Sequence, residues 1–239
     1  MFSEVTTRRS ADAVFDQVAG HIVGGELEPG TALPGERELA TQLNVSRSVV
    51  REALQRLAQA GFVEIRQGGA TRVLDYLTGT DIDLLGRLLV RADGSIDAVV
   101  LRSMLEMRIS IGADAARLAA IRTTPELAAR LTGLVKRLAT TPDILEKQDI
   151  DLEFWAAIVS GSQNIAYRLA YNGLVATYGP LREVIAAVVK PELDNVTGHR
   201  RVVAAVGKGD SKAAERAARS LLESSSAEWT QLLDALGQA

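Results

Sequence analysis

The sequence predicts a mainly α-helical chain in two parts: three short helices closed by a β-hairpin, then a bundle of six or seven antiparallel helices. Three observations carry this. Apolar residues recur at helical spacing along nearly all of the 239 residues, as at Val14, Val18 and Ile22 or at Leu39 and Leu43. A single stretch is β-prone: Phe62 to Ile65, then Gln67-Gly68-Gly69, then Thr71 to Leu74, two short runs about a glycine turn. Composition supplies a core without cross-links, since 47% of residues are apolar and none is cysteine.

The same inventory narrows the function. The lack of cysteine removes disulfide frameworks, thiolate zinc sites and cysteine nucleophiles. Two histidines, His21 and His199, do not build a His-rich metal centre. A net charge of -3 excludes a uniformly basic nucleic-acid coat. No apolar run approaches the roughly 18 residues of a membrane span, and the start MFSEVTTRRS lacks the apolar stretch of a signal peptide. The expectation is a soluble, cytoplasmic protein with no membrane partner.

In chain order, Gly24 to Gly30 separates the first helix from the second, and Pro34 stands just before the second begins. Asn44-Val45-Ser46 separates the second from the third, with Ser46 placed to cap it. Residues 1–75 form the first domain, 76–80 a linker and 81–239 an all-helical domain. Breaks in the last fall at 93–95, 123–125, 140–142, 161–162, Pro191 and 207–210.

On a helical wheel from Ser46, Val49, Val50, Ala53, Leu54 and Leu57 gather on one side, Arg47, Ser48, Arg51 and Gln55 on the other. Two arginines at i and i+4 near a helix N-terminus suit a major groove, where guanidinium groups meet guanine O6 and N7. Such a face also fits plain solvation. Residues 1–75 hold 8 basic and 10 acidic side chains, so any positive patch is local. The order of elements, a short turn between helices two and three and then a hairpin, favours a winged helix-turn-helix.

At this level the chain resembles the GntR family of winged-helix regulators. The resemblance lies in Gly25-Glu26-Leu27-Glu28-Pro29-Gly30, in Leu33-Pro34-Gly35-Glu36-Arg37-Glu38-Leu39-Ala40, and in Val45-Ser46-Arg47 through Val50-Arg51-Glu52-Ala53-Leu54. It implies that Arg37, Arg47 and Arg51 contact DNA, with Ser46 and Ser48 as small polar contacts and Gln67 and Gly68 at the wing tip. Gly35 departs from the serine more usual at its position.

The helical part resembles the FCD effector domain of the FadR subgroup. Many such domains bind a divalent metal through an aspartate and three histidines. Here Asp151 and His199 stand at two of those positions, but Trp155 and Leu221 replace the other two histidines. Two donors are too few for a tight transition-metal site, so no metal is expected. His199 alternatively serves as a hydrogen-bonded residue near a helix start.

Within the subgroup, the fatty-acid regulators also lack the metal set, and several segments here are similar to theirs. By that resemblance Ser225 and Trp229 lie at an acyl-CoA site, with Arg108, Asp151, Tyr167, Asn172 and Tyr178 around the cavity. Leu222 departs from a glycine in that pattern. Trp155, Trp229, Tyr167, Tyr171 and Tyr178 place five of the ten aromatics in the bundle, as a tunnel wall or as ordinary core. Arg108 is the internal polar candidate, for a ligand carboxylate or phosphate, or for Glu106 or Asp151.

The functional expectation is a homodimeric, non-enzymatic regulator of transcription on a palindromic operator, without cofactor, tuned by a long-chain acyl-CoA or fatty acid. A small carboxylate effector is the alternative, and a DNA-binding scaffold with a solid core another. An enzyme using Asp149, Asp151 and Glu153 is the remote one, because Asp149 and Asp151 project about 200° apart on a helix.

Overall fold

The computed structural model describes residues 6–66, 69–79, 84–90, 94–177 and 179–237. Contacts divide the chain into two compact units, Met1–Ser95 and Ile96–Ala239. The first contains α1 (Thr6–Val23), α2 (Glu36–Gln42), α3 (Arg47–Gln59), β1 (Val63–Glu64), β2 (Arg72–Val73), α4 (Tyr76–Gly79) and α5 (Leu85–Leu89).

The order of the first five elements is the one the sequence predicts. The chain leaves α1 through glycines at positive φ, Gly25 at 79° and Gly30 at 88°, a region closed to most side chains. Between α2 and α3, Asn44 turns the backbone at φ 51°, which asparagine tolerates. Ser46 then caps α3, its hydroxyl accepting from the Val49 N–H at 3.3 Å. The buried stripe of α3 is Val49, Val50, Ala53, Leu54 and Leu57. It packs in one core with Val14, Phe15, Val18 and Ile22 of α1.

β1 and β2 pair antiparallel, Val63 opposite Val73 and Glu64 opposite Arg72. Their buried valines face the core, where Phe62 meets the Phe15 ring edge-on at 5.9 Å. The structure adds a partner that the sequence did not announce. The loop before α2 runs along β2, with the Leu33 N–H donating to Thr71 O at 2.8 Å and the Val73 N–H to Thr31 O at 2.9 Å. Residues 76–95, where the sequence puts a linker and the start of the helical domain, group with the first unit: Tyr76, Leu84 and Leu88 pack in its core.

The second unit contains α6 (Ala98–Ile121), α7 (Pro125–Thr140), α8 (Ile144–Gly161), α9 (Ile165–Ala176), α10 (Arg182–Val188), α11 (Lys190–Asp194), α12 (Val196–Gly207), α13 (Ser211–Leu222) and α14 (Ser226–Gly237). Among the described residues, seven of these run twelve residues or longer, and the short α10 and α11 are the addition to the expected six or seven. Six start on a capping side chain, from Asp97, Thr124, Asp143, Asn164, Asn195 and Asp210. Each cap satisfies otherwise orphaned N–H groups, worth about 1 kcal/mol.

The core of this unit is alanine-rich. α6 and α13 make its most extensive helix contact. Ala115, Ala116, Ala119 and Ala120 of α6 and Ala214 and Ala218 of α13 are buried in one cluster. Small side chains let backbones approach closely, and the larger Leu131, Leu138, Phe154 and Ile158 fill the other side of the bundle.

Candidate nucleic-acid interface and effector cavity

On the first unit, Arg37, Ser46, Arg47, Ser48, Arg51 and Gln55 are all exposed. The two serine hydroxyls hydrogen-bond each other at 2.8 Å, so the start of α3 is tied down locally. Arg51 lies flat against Glu36 of α2: its Nε donates to Oε1 at 3.1 Å and its Nη2 to Oε2 at 2.9 Å. Arg51, and less strongly the nearby Arg47, hold the Glu36 carboxyl below the usual carboxylate range. The wing-tip residues Gln67 and Gly68 lie outside the described residues. At the wing base, Arg66 pairs with Glu64 at 2.8 Å.

The second unit encloses a cavity between α6, α8, α9 and α13. Its wall is mostly hydrocarbon, including Met107, Ile111, Leu152, Trp155, Val159, Leu174 and Leu222, with Arg108, Gln148, Asp151 and Tyr171 as the polar members. About 40 Å³ is open to the centre of a water-sized sphere, room for roughly three waters. Gly112 sets its edge, because a Cβ there would meet Leu222 Cδ1 at 2.7 Å.

Two buried ion pairs close one end. Arg108 Nη2 donates to Glu192 Oε1 at 2.6 Å, and Trp155 Nε1 donates to the same oxygen at 3.3 Å. His199 Nε2 bonds Asp151 Oδ1 at 2.9 Å, and its Nδ1 bonds the Asn195 carbonyl at 3.0 Å. Burial pushes Glu192 up to about 7, against the lowering charge of Arg108. Burial pulls His199 down, but the Asp151 hydrogen bond and charge outweigh it, so the imidazole ends above its ordinary value. Two groups are left wanting: both amide atoms of Gln148 and Glu192 Oε2 are buried without a hydrogen-bond partner.

Comparison with known proteins decides the family. Residues 10–73 match the family described as bacterial regulatory proteins, gntR family, and residues 103–224 match the FCD domain. The chain belongs to the GntR family, in its FCD branch. The HTH-type transcriptional regulator Mce2R of Mycobacterium tuberculosis is 41% identical over 219 residues, 92% of this chain and 91% of that one. The fatty acid metabolism regulator protein of Serratia proteamaculans is 32% identical over 150 residues, 63% of this chain and 61% of that one. The solved structure of Lar, which controls expression of the Listeria monocytogenes agr system, covers 97% of this chain and 99% of its own at TM-score 0.55 and 17% identity, a likeness of fold.

The chain is therefore a GntR/FCD transcriptional regulator, and its relatives are regulators rather than enzymes. No helix among the described residues is long and apolar enough to cross a membrane. The carboxylates Asp149, Asp151 and Glu153 go to different partners, Arg182, His199 and Arg137.

The FCD metal does not fit these residues. Both ring nitrogens of His199 are occupied by Asp151 and Asn195. Trp155 spends its N–H on Glu192, and Leu221 packs against Gly198, where a Cβ would come within 2.9 Å of it. Among the described residues, no three His, Cys, Asp or Glu side chains are arranged to hold a metal ion.

Of the residues assigned to the effector by sequence, Arg108 and Asp151 meet at the cavity wall. Ser225 reaches the cluster through Glu192, whose N–H donates to its hydroxyl at 3.2 Å. Trp229 is buried on α14 with its Nε1 unpaired. It does not line this cavity. Tyr167 instead donates to Asp114 at 2.9 Å, Asn172 is exposed on α9, and Tyr178 lies outside the described residues. Arg108 gives one bond to Glu192, a partner that the sequence did not name. Glu106 is exposed two residues away on the same helix, where it faces another direction. Sequence reading missed Gln148 and Glu192. Gln148 carried a signal, standing three and seven residues before Asp151 and Trp155 on one face of α8.

Proposed function

We propose that this regulator binds a short palindromic operator as a homodimer through α3, and that an acyl effector held without metal in the helical unit sets its affinity for DNA. The effector is a long-chain fatty acyl-CoA or a fatty acid. The observation that carries the effector reading is the cavity: hydrocarbon walls ending in Arg108, Gln148 and Asp151, with the Gln148 amide unpaired. A buried amide rarely goes without partners, so a ligand or water completes it. The relative from Serratia proteamaculans, named a fatty acid metabolism regulator, supports the lipid class.

An acyl chain needs more than the present 40 Å³, so Leu222 and its neighbours must turn aside for it. That observation favours a second reading, a small carboxylate, which needs no such opening. Calorimetric titration of metal-free protein with oleoyl-CoA, oleate, small dicarboxylates and zinc separates the two. Saturable lipid binding that changes DNA affinity supports the first. Silence with both lipids and binding of a small carboxylate transfers the site to the second, and tight zinc binding overturns the metal-free assignment.

A further inference from the structure

The Glu36–Arg51 contact has a geometry that matters for base reading. Arginine offers five N–H donors in a planar fork. Glu36 takes the side-on pair, Nε and Nη2. The end-on pair, Nη1 with the second hydrogen of Nη2, has no protein acceptor among the described residues. That end-on pair matches guanine O6 and N7. Arg51 is 61% exposed and Glu36 31%, so the contact stands at the surface of the helix-turn-helix rather than inside it.

We infer that Glu36 is the positioning residue for base reading by Arg51: it holds the guanidinium by one edge and presents the other to guanine. This rests on the proposed role of α3 at DNA. Two physical effects follow. A long side chain held in its working orientation loses less rotamer freedom on binding. A carboxylate beside the arginines also repels phosphate, which weakens attachment to DNA of the wrong sequence. Glu36 thus raises selectivity by strengthening the right contact and penalising the wrong one. Its fixed charge is secure, because Arg51 and Arg47 keep the carboxyl ionised.

The test uses the full chain and a duplex selected by it from random-sequence DNA, with a scrambled duplex of equal length at one salt concentration. Glu36→Gln should lower the operator-to-scrambled affinity ratio about tenfold, by loosening the operator and tightening the scrambled DNA. In an Arg51→Ala background the same change should leave the operator contact no weaker, since nothing remains to be positioned. An exposed ion pair contributes little to stability, so Glu36→Gln should unfold at the wild-type temperature. If Arg51→Ala lowers the ratio and Glu36→Gln does not, the inference is overturned. If Arg51→Ala lowers both affinities equally, Arg51 is a phosphate contact and the inference is overturned; if it changes neither affinity, the reading of α3 at DNA fails instead.

Discussion

Arg108 and Glu192, 84 residues apart in sequence, meet at 2.6 Å inside the helical unit, where Glu192 has no exposed surface. The pair closes the polar end of the cavity and joins α6 to α11. Replacing Arg108 by alanine strands a buried carboxylate, which should cost about 3–5 kcal/mol in denaturant unfolding. Arg108→Met with Glu192→Leu should recover most of that loss, because it removes both charges together.

The same glutamate makes stability depend on pH. Its folded value near 7 lies above the ordinary 4.5, so the folded state holds the proton more tightly than the unfolded chain. Stability is greatest below about pH 4.5 with respect to this group and falls as pH rises toward 7. His199 adds in the same direction: its raised value gives a contribution present below 6.5 and lost as pH climbs through the folded value. Melting temperatures between pH 5 and 8 should decline, and Glu192→Gln should flatten that slope.

At the DNA face, Arg47→Ala and Arg51→Ala should each cost about 1–3 kcal/mol of operator binding and relax the sequence preference at one base pair. Fluorescence anisotropy on operator and random duplexes reads both. An equal loss on random DNA would make the arginine a phosphate contact.

Gly112→Ala tests the cavity edge. The new methyl meets Leu222 Cδ1, which must turn, at a cost of about 1–3 kcal/mol in stability. Effector affinity should fall with it, measured by the same titration, while binding to the selected operator in the absence of effector stays at the wild-type level.

Much of this was legible along the chain. The reading face of α3 follows from a 3.6-residue period and a capping serine, both local properties, and the structure buries and exposes the residues on the expected sides. The breaks at 123–125, 140–142 and 207–210 were visible from local breakers, and α7, α8 and α13 begin at or just after them. The third β-partner was not, because the loop before α2 has no apolar alternation and gains its order from β2. Nor was the Arg108 partner. Nothing in Lys190-Pro191-Glu192 marks that glutamate as buried; its environment is assembled by α6 and α8, far off in sequence.

The alanine contact of α6 with α13 sets a tolerance. Alanine has no rotamers, so its burial freezes no side-chain motion, and away from Leu222 at the Gly112 edge an alanine cannot swing aside to admit a larger neighbour. An added methylene at Ala116 or Ala218, both wholly buried, can be accommodated only by separating the helix axes. The close approach of these two helices thus depends on side chains no larger than alanine at those positions, and a bulkier residue there works against it.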